Sequence, residues 1–154
     1  MEFPIVAFDI KDGKGNYIKL EISNVYGYPN ETSFRGGYDV KCYLTVRSGI
    51  YFVNSDSYFS STGALYEFYR ELSGVYEKLN GTANYKVYMP ENDLTFAVEF
   101  NRDRVKIAGK FRDDPCENNS LEFELFSDQS YFAEVLRDLK KVVSLFGDNK
   151  GHRA

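Results

Sequence analysis

Hydrophobic and polar positions alternate with a period of two along most of this chain, and the period changes to that of a helix in two places. Tyr38, Val40, Cys42, Leu44 and Val46 alternate with Asp39, Lys41, Tyr43, Thr45 and Arg47, the pattern of a half-buried strand. Ser48-Gly49 then turns the chain into a partner strand near 50–58. Upstream, Gly13–Asn16 reads as a hairpin turn between strands near 3–10 and 17–23. Residues 24–37, NVYGYPNETSFRGG, carry neither period and read as a loop. Leu65, Phe68, Tyr69, Leu72, Val75, Tyr76 and Leu79 recur at helical spacing. Ser60, Ser61 and Thr62 are the candidate N-caps, and Asn80-Gly81 the expected close. A second helix is expected from an N-cap at Asp128, with Tyr131, Phe132, Val135, Leu136, Leu139, Val142, Val143 and Phe146 on one face and Gly147 at its end.

Four strands are expected between the helices, near 83–88, 94–100, 105–112 and 120–127, and here the pattern also predicts register. With a tight turn at Asn101–Arg104, Val98 faces Ile107 and Phe96 faces Gly109. With 113–119 as the next turn, Ile107 continues to Leu125 and Gly109 to Phe123, so the glycine leaves room between two phenyl rings. The opposite face then sets Glu99 against Lys106 and Lys110 against Glu122, pairs of opposite charge. Both faces select the same pairing, as expected of a specified meander. The expectation is an α+β fold: one curved antiparallel sheet of about seven strands with two amphipathic helices packed on one face. Residues 1–147 form a single domain in this reading, and 148–154 a flexible tail.

Composition narrows the function. Thirteen Tyr and thirteen Phe without a Trp favour β-structure. A net charge of −4 makes direct nucleic-acid binding unfavourable and a basic protein the better partner. Glu2 stands where a signal peptide carries a base, and no span approaches the ~18 apolar residues of a membrane helix, so a cytoplasmic protein is expected. The single histidine, His152, is the third residue from the end, which removes Ser-His-Asp and Cys-His arrangements and ordinary zinc sites from consideration. Cys42 falls on an apolar strand face and reads as a buried free thiol, and Cys116 lies in a turn.

Two segments remain as candidate sites. Tyr26, Tyr28, Glu31 and Phe34 lie on the 24–37 loop, where nothing periodic requires burial, and loop aromatics are typical of recognition surfaces. Asp113, Asp114 and Glu117 crowd the turn after Arg112; their oxygens suit Mg²⁺ or Ca²⁺, but the spacing matches no EF-hand, and Pro115 with Asn118-Asn119 is ordinary turn chemistry. Arg104, Lys106, Lys110 and Arg112 share one strand face and read as a solvated face partly neutralised by Glu99 and Glu122. Gly36-Gly37 and Gly13-x-Gly15 lack the context of a phosphate cradle. No cofactor and no metal site is expected.

Three motifs carry a resemblance. A helix ends in Leu79-Asn80-Gly81-Thr82-Ala83; a short strand pair leads into Arg112-Asp113-Asp114-Pro115 and Asn119-Ser120-Leu121-Glu122-Phe123; and Asp128-Gln129-Ser130-Tyr131 precedes a leucine-patterned helix. In this order they resemble the WapI-type immunity proteins of bacterial polymorphic toxin systems, over roughly residues 38–146. A tryptophan associated with the strand at 38–46 is absent, and the turn before 105–112 is shortened to NRDR; both are mostly scaffold positions. The resemblance implies a small, non-catalytic cytoplasmic protein that binds a cognate toxin domain, often a nuclease. It supplies no interface residues, so the partner-binding candidates remain Tyr26, Tyr28, Glu31, Phe34, Asp113, Asp114 and Glu117. The alternative is a metal-dependent hydrolase or nuclease built on the acidic corner. A small-ligand module with a pocket between sheet and helices is a third class.

Overall fold

The alternating stretches of the first part of the chain become β1 (Ile5–Lys11), β2 (Tyr17–Val25), β3 (Asp39–Ser48) and β4 (Tyr51–Ser61), an antiparallel sheet in chain order. After the helix α1 (Thr62–Lys78), the strands β5 (Asn80–Tyr88), β6 (Asp93–Asn101), β7 (Arg104–Arg112) and β8 (Leu121–Asp128) form a second antiparallel sheet, again in chain order. A short 3-10 turn, Gln129–Tyr131, leads into α2 (Phe132–Phe146). The structure is a computed structural model, and it describes residues 1–152.

The fold is α+β, with eight strands in two four-stranded sheets where one sheet of about seven was expected. The reason lies in the connection after β4. Ser61 caps α1 by accepting the Ala64 N–H at 3.2 Å, so the helix starts where β4 ends. The helix stops at Leu79 in the left-handed conformation (φ 54°), one residue before β5, so Asn80-Gly81 opens a strand and does not close the helix. β5 folds back along α1 and starts a new sheet. The alternate apolar residues of the two sheets then bury each other. Phe8 of β1 meets Tyr85 of β5 at 5.6 Å and Phe96 of β6 at 5.7 Å, and Tyr58 of β4 meets Phe111 of β7 at 6.2 Å between ring centroids. The helices do not lie across one sheet face: α1 packs beside the edge strand β5, α2 beside the edge strand β1, and each against the other. One core joins all four layers, including Leu65, Phe68 and Leu72 of α1 and Val135, Leu139 and Val142 of α2.

The expected register of the second sheet is observed: Val98 pairs with Ile107 and Phe96 with Gly109, and Ile107 and Gly109 continue to Leu125 and Phe123. A Cβ on Gly109 would sit 2.4 Å from the Phe96 Cβ, so this layer admits only a hydrogen. On the outer face the charged residues are opposite each other as expected, but Lys106 forms its ion pair diagonally, with Glu124 at 3.5 Å. Asp128 caps the 3-10 turn through the Ser130 N–H at 2.8 Å, and α2 starts three residues later than a direct cap would place it. Gly147 ends α2 at φ 78°.

Within the segment expected to be a tail, residues 148–152 are described. Asn149 accepts the Gly37 N–H on its carbonyl at 2.7 Å and donates its side-chain amide to Glu67 at 2.8 Å. The His152 N–H donates to the Tyr38 hydroxyl at 3.0 Å.

Candidate functional site

The 26–38 loop owes its shape to local bonds. The Glu31 N–H donates to the Gly27 carbonyl at 2.7 Å, and the Ser33 N–H to the Gly37 carbonyl at 2.7 Å. Gly27 has φ 78° and its missing Cβ would lie 2.3 Å from the Glu31 carbonyl oxygen, so the turn needs glycine for both conformation and space. The loop rests on the start of α1, where the Gly63 N–H reaches the Gly36 carbonyl, and on the end of α2. There Tyr28 packs edge-on against Tyr38 and Phe146, each at 5.4 Å. Tyr28 is therefore half anchor and half surface. Tyr26 and Glu31 face solvent, and Phe34 is 91% exposed with the Arg35 guanidinium over its ring at 4.6 Å.

The corner at 113–119 is a self-bonded turn. Asp114 accepts the Cys116 N–H on its side chain at 2.9 Å and the Glu117 N–H on its carbonyl at 3.0 Å. Glu117 accepts the Asn119 amide at 3.1 Å. Arg112 crosses to Asp93 and also donates to the Pro115 carbonyl at 3.3 Å. Asp113, Asp114 and Glu117 are exposed, and among the described residues no three His, Cys, Asp or Glu side chains converge as metal ligands. The loop and the corner pack against different elements, the first on α1 and α2, the second beyond the ends of β6 and β7.

Sequence reasoning did not find the tip of the β3–β4 hairpin. Ile50 is 93% exposed, Tyr51 60% and Phe52 58%, three consecutive large apolar side chains in water. The signal was present: Ile-Tyr-Phe directly after Ser48-Gly49 breaks the alternation, and such runs on a surface are costly without a purpose. A buried hydroxyl cluster was also missed, because its members come from different sheets. The Tyr85 hydroxyl lies 2.9 Å from that of Tyr58 and 2.8 Å from that of Ser60. Burial pushes both phenols above their ordinary pKa, and the coupling to Tyr85 raises Tyr58 further, so the cluster stays neutral at physiological pH.

Burial likewise raises the Cys42 thiol, which keeps it an unreactive core side chain. An open cleft of about 500 Å³ beside the start of α1 is lined by Arg35, Glu67, Glu71, Lys86, Tyr88 and Asn149. Its acids have partners: Glu67 binds Arg70 at 2.8 Å, and Glu71 accepts the Asn84 N–H at 3.2 Å. Among the described residues no helix is long and apolar enough to cross a membrane.

Comparison with known proteins agrees with the motif order. Residues 9–147 match the family described as the immunity protein WapI-like family. No curated protein matches the chain. Among solved structures, a CdiA-CT/CdiI toxin and immunity complex from Enterobacter cloacae is similar with a TM-score of 0.43 and 11% identity, over 77% of this chain and 98% of that chain.

Proposed function

Because the chain belongs to the immunity protein WapI-like family, we propose that it is a non-catalytic immunity protein that binds and neutralises a cognate bacterial toxin domain in the cytoplasm. The family match over residues 9–147 carries this reading, since it spans both sheets and both helices. The physical character of the surface supports it. A net charge of −4 favours encounter with a basic partner, and exposed aromatics such as Phe34 supply anchors that gain by leaving water. The 26–38 loop, through Tyr26, Tyr28, Glu31 and Phe34, and the acidic corner, through Asp113, Asp114 and Glu117, are the proposed contact areas. Inhibition then follows from covering the toxin's working surface, with no chemistry by this chain.

The test is co-expression with candidate bacterial toxin domains, starting with any encoded next to this gene. Growth is restored and a 1:1 complex co-purifies, with association that slows as salt rises. Absence of a complex at micromolar concentration overturns the proposal.

A further inference from the structure

Two four-stranded sheets have four edges, and two of them lie beside helices. α2 lies beside β1 and α1 beside β5. The hairpins of the first sheet touch β8 at two points, where the Ser48 hydroxyl donates to the Glu124 carbonyl at 3.3 Å and the Ser127 hydroxyl to the Lys11 carbonyl at 2.6 Å. The fourth edge, β4, is closed at one point only. Asn92 accepts the Phe59 N–H at 2.8 Å and donates to the Phe59 carbonyl at 3.0 Å, a side-chain amide taking the place of a neighbouring strand. From Tyr51 to Ser57 no such cover exists among the described residues.

The pairing defines which groups point outward there. Ser48↔Tyr51 closes the hairpin around Gly49-Ile50, and alternation along an antiparallel pair then turns the N–H and C=O of Phe52 and Asn54 away from β3. The same alternation, carried past the irregularity opposite Tyr43, makes Phe59 outward-facing, which is what the Asn92 clamp shows. Free edges are normally protected with Lys, Pro or a short strand. β4 is eleven residues long with neither Lys nor Pro, and Asp56 is its only charge.

The surroundings of this edge differ at its two ends. At the hairpin end are the exposed Ile50, Tyr51 and Phe52. At the other end the edge runs to the 89–93 loop, held by Asn92, and to the end of β7, where Phe111 meets Tyr58. Asp56, Glu91 and Asp93 belong to these segments, and Asp113, Asp114 and Glu117 follow directly after β7; of the cations nearby, Arg112 is paired with Asp93, Lys110 stands opposite Glu122, and Lys41 lies opposite Phe59 on β3.

We infer that the free edge of β4, from Tyr51 to Ser55, is a strand-docking site that takes an extended segment of the toxin, apolar at the Ile50–Phe52 end and basic at the Asp56 end. Main-chain bonds to Phe52 and Asn54 supply affinity, and the gradient from apolar to acidic sets the direction of the added strand. The inference rests on the immunity reading and specifies how the partner is held.

Asn54→Pro tests it, because proline at an outward-facing edge position removes a docking donor and keeps the β3–β4 ladder. The probe is an inactivated form of the toxin domain whose toxicity the chain relieves in co-expression. Binding is measured by calorimetry, and amide exchange at Phe52 and Asn54 is followed in the wild-type protein with and without that domain. The expected result is protection of both amides in the complex, and a loss of affinity of about tenfold or more in Asn54→Pro and in the exposed double change Tyr51→Ser/Phe52→Ser. If Asn54→Pro does not fold, the amide protection and the serine variant decide alone. Undiminished binding by these variants, with both amides still exchanging freely, overturns the edge assignment and leaves the immunity reading intact. Self-association that Asn54→Pro abolishes gives the edge to a second copy and also overturns it. A wild-type protein that neutralises no toxin removes the immunity reading and this inference with it.

Discussion

The Tyr85 hydroxyl is the residue whose substitution says most about how the sheets are matched. It is buried, it bonds to Tyr58 and Ser60, and these are the partners found for those two hydroxyls. Tyr85→Phe leaves two buried hydroxyls without their partner, so it is expected to cost about 1–3 kcal/mol in urea unfolding. The triple change Tyr58→Phe/Ser60→Ala/Tyr85→Phe costs less than the sum of its single changes, because it leaves nothing unpaired. The same cluster gives a pH dependence. Both phenols are raised in the folded state by burial, so folding binds their protons more tightly than the unfolded chain does. Their contribution is complete below the unfolded value of about 10 and is lost as pH rises past it. Urea midpoints should therefore fall more steeply above about pH 10 in the wild-type protein than in Tyr58→Phe/Tyr85→Phe. None of this was legible in sequence, where Tyr58 and Tyr85 are simply two strand aromatics.

At the scale of elements, the β6–β7–β8 meander was the most legible part of the chain. Its register could be read because inward residues of matching size and outward residues of opposite charge selected one pairing, and a slip of one residue would exchange the two faces. Gly109 is the position that tests it. Its extended backbone suits any residue, but an added methyl meets the Phe96 Cβ and the Thr95 carbonyl oxygen at 2.4 Å each. Gly109→Ala is expected to destabilise by about 1–3 kcal/mol, a drop of several degrees in melting temperature for a chain of this size. A neutral result would mean that Phe96 and Phe123 do not close over position 109. The helix ends were less legible. Asn-Gly after Leu79 has the composition of a terminator, but the turn is made one residue earlier because Asn80 and Gly81 already pair with Asn101 and Phe100.

At the scale of the molecule, the two sheets and α1 meet around Phe8. Its ring packs edge-on against Phe68 of α1 at 5.7 Å, Tyr85 of β5 at 5.6 Å and Phe96 of β6 at 5.7 Å. Removing it opens a cavity that no single layer can close. Phe8→Ala is expected to cost about 3–5 kcal/mol. Because the core is continuous, the sheets should unfold together, with far-UV and near-UV circular dichroism transitions that coincide in the wild-type protein. Separate transitions would show two independent halves. The exposed hairpin tip and the uncovered β4 edge are also properties of this scale. Whether a strand lies at an edge depends on which strands pair and where the helices pack, and an alternating sequence carries no mark of either.

The amino-acid pattern by itself determined the strands, both helices and the register of the second sheet, because each follows from the spacing and identity of nearby residues. It also carried the motif order that identifies the family. Only the tertiary structure decided that the strands divide into two sheets, that Tyr58, Ser60 and Tyr85 share a buried contact, and that β4 is left open. Those features join segments far apart in the chain, and the relative placement of two apolar faces depends on the shape of the whole core rather than on the period of either one.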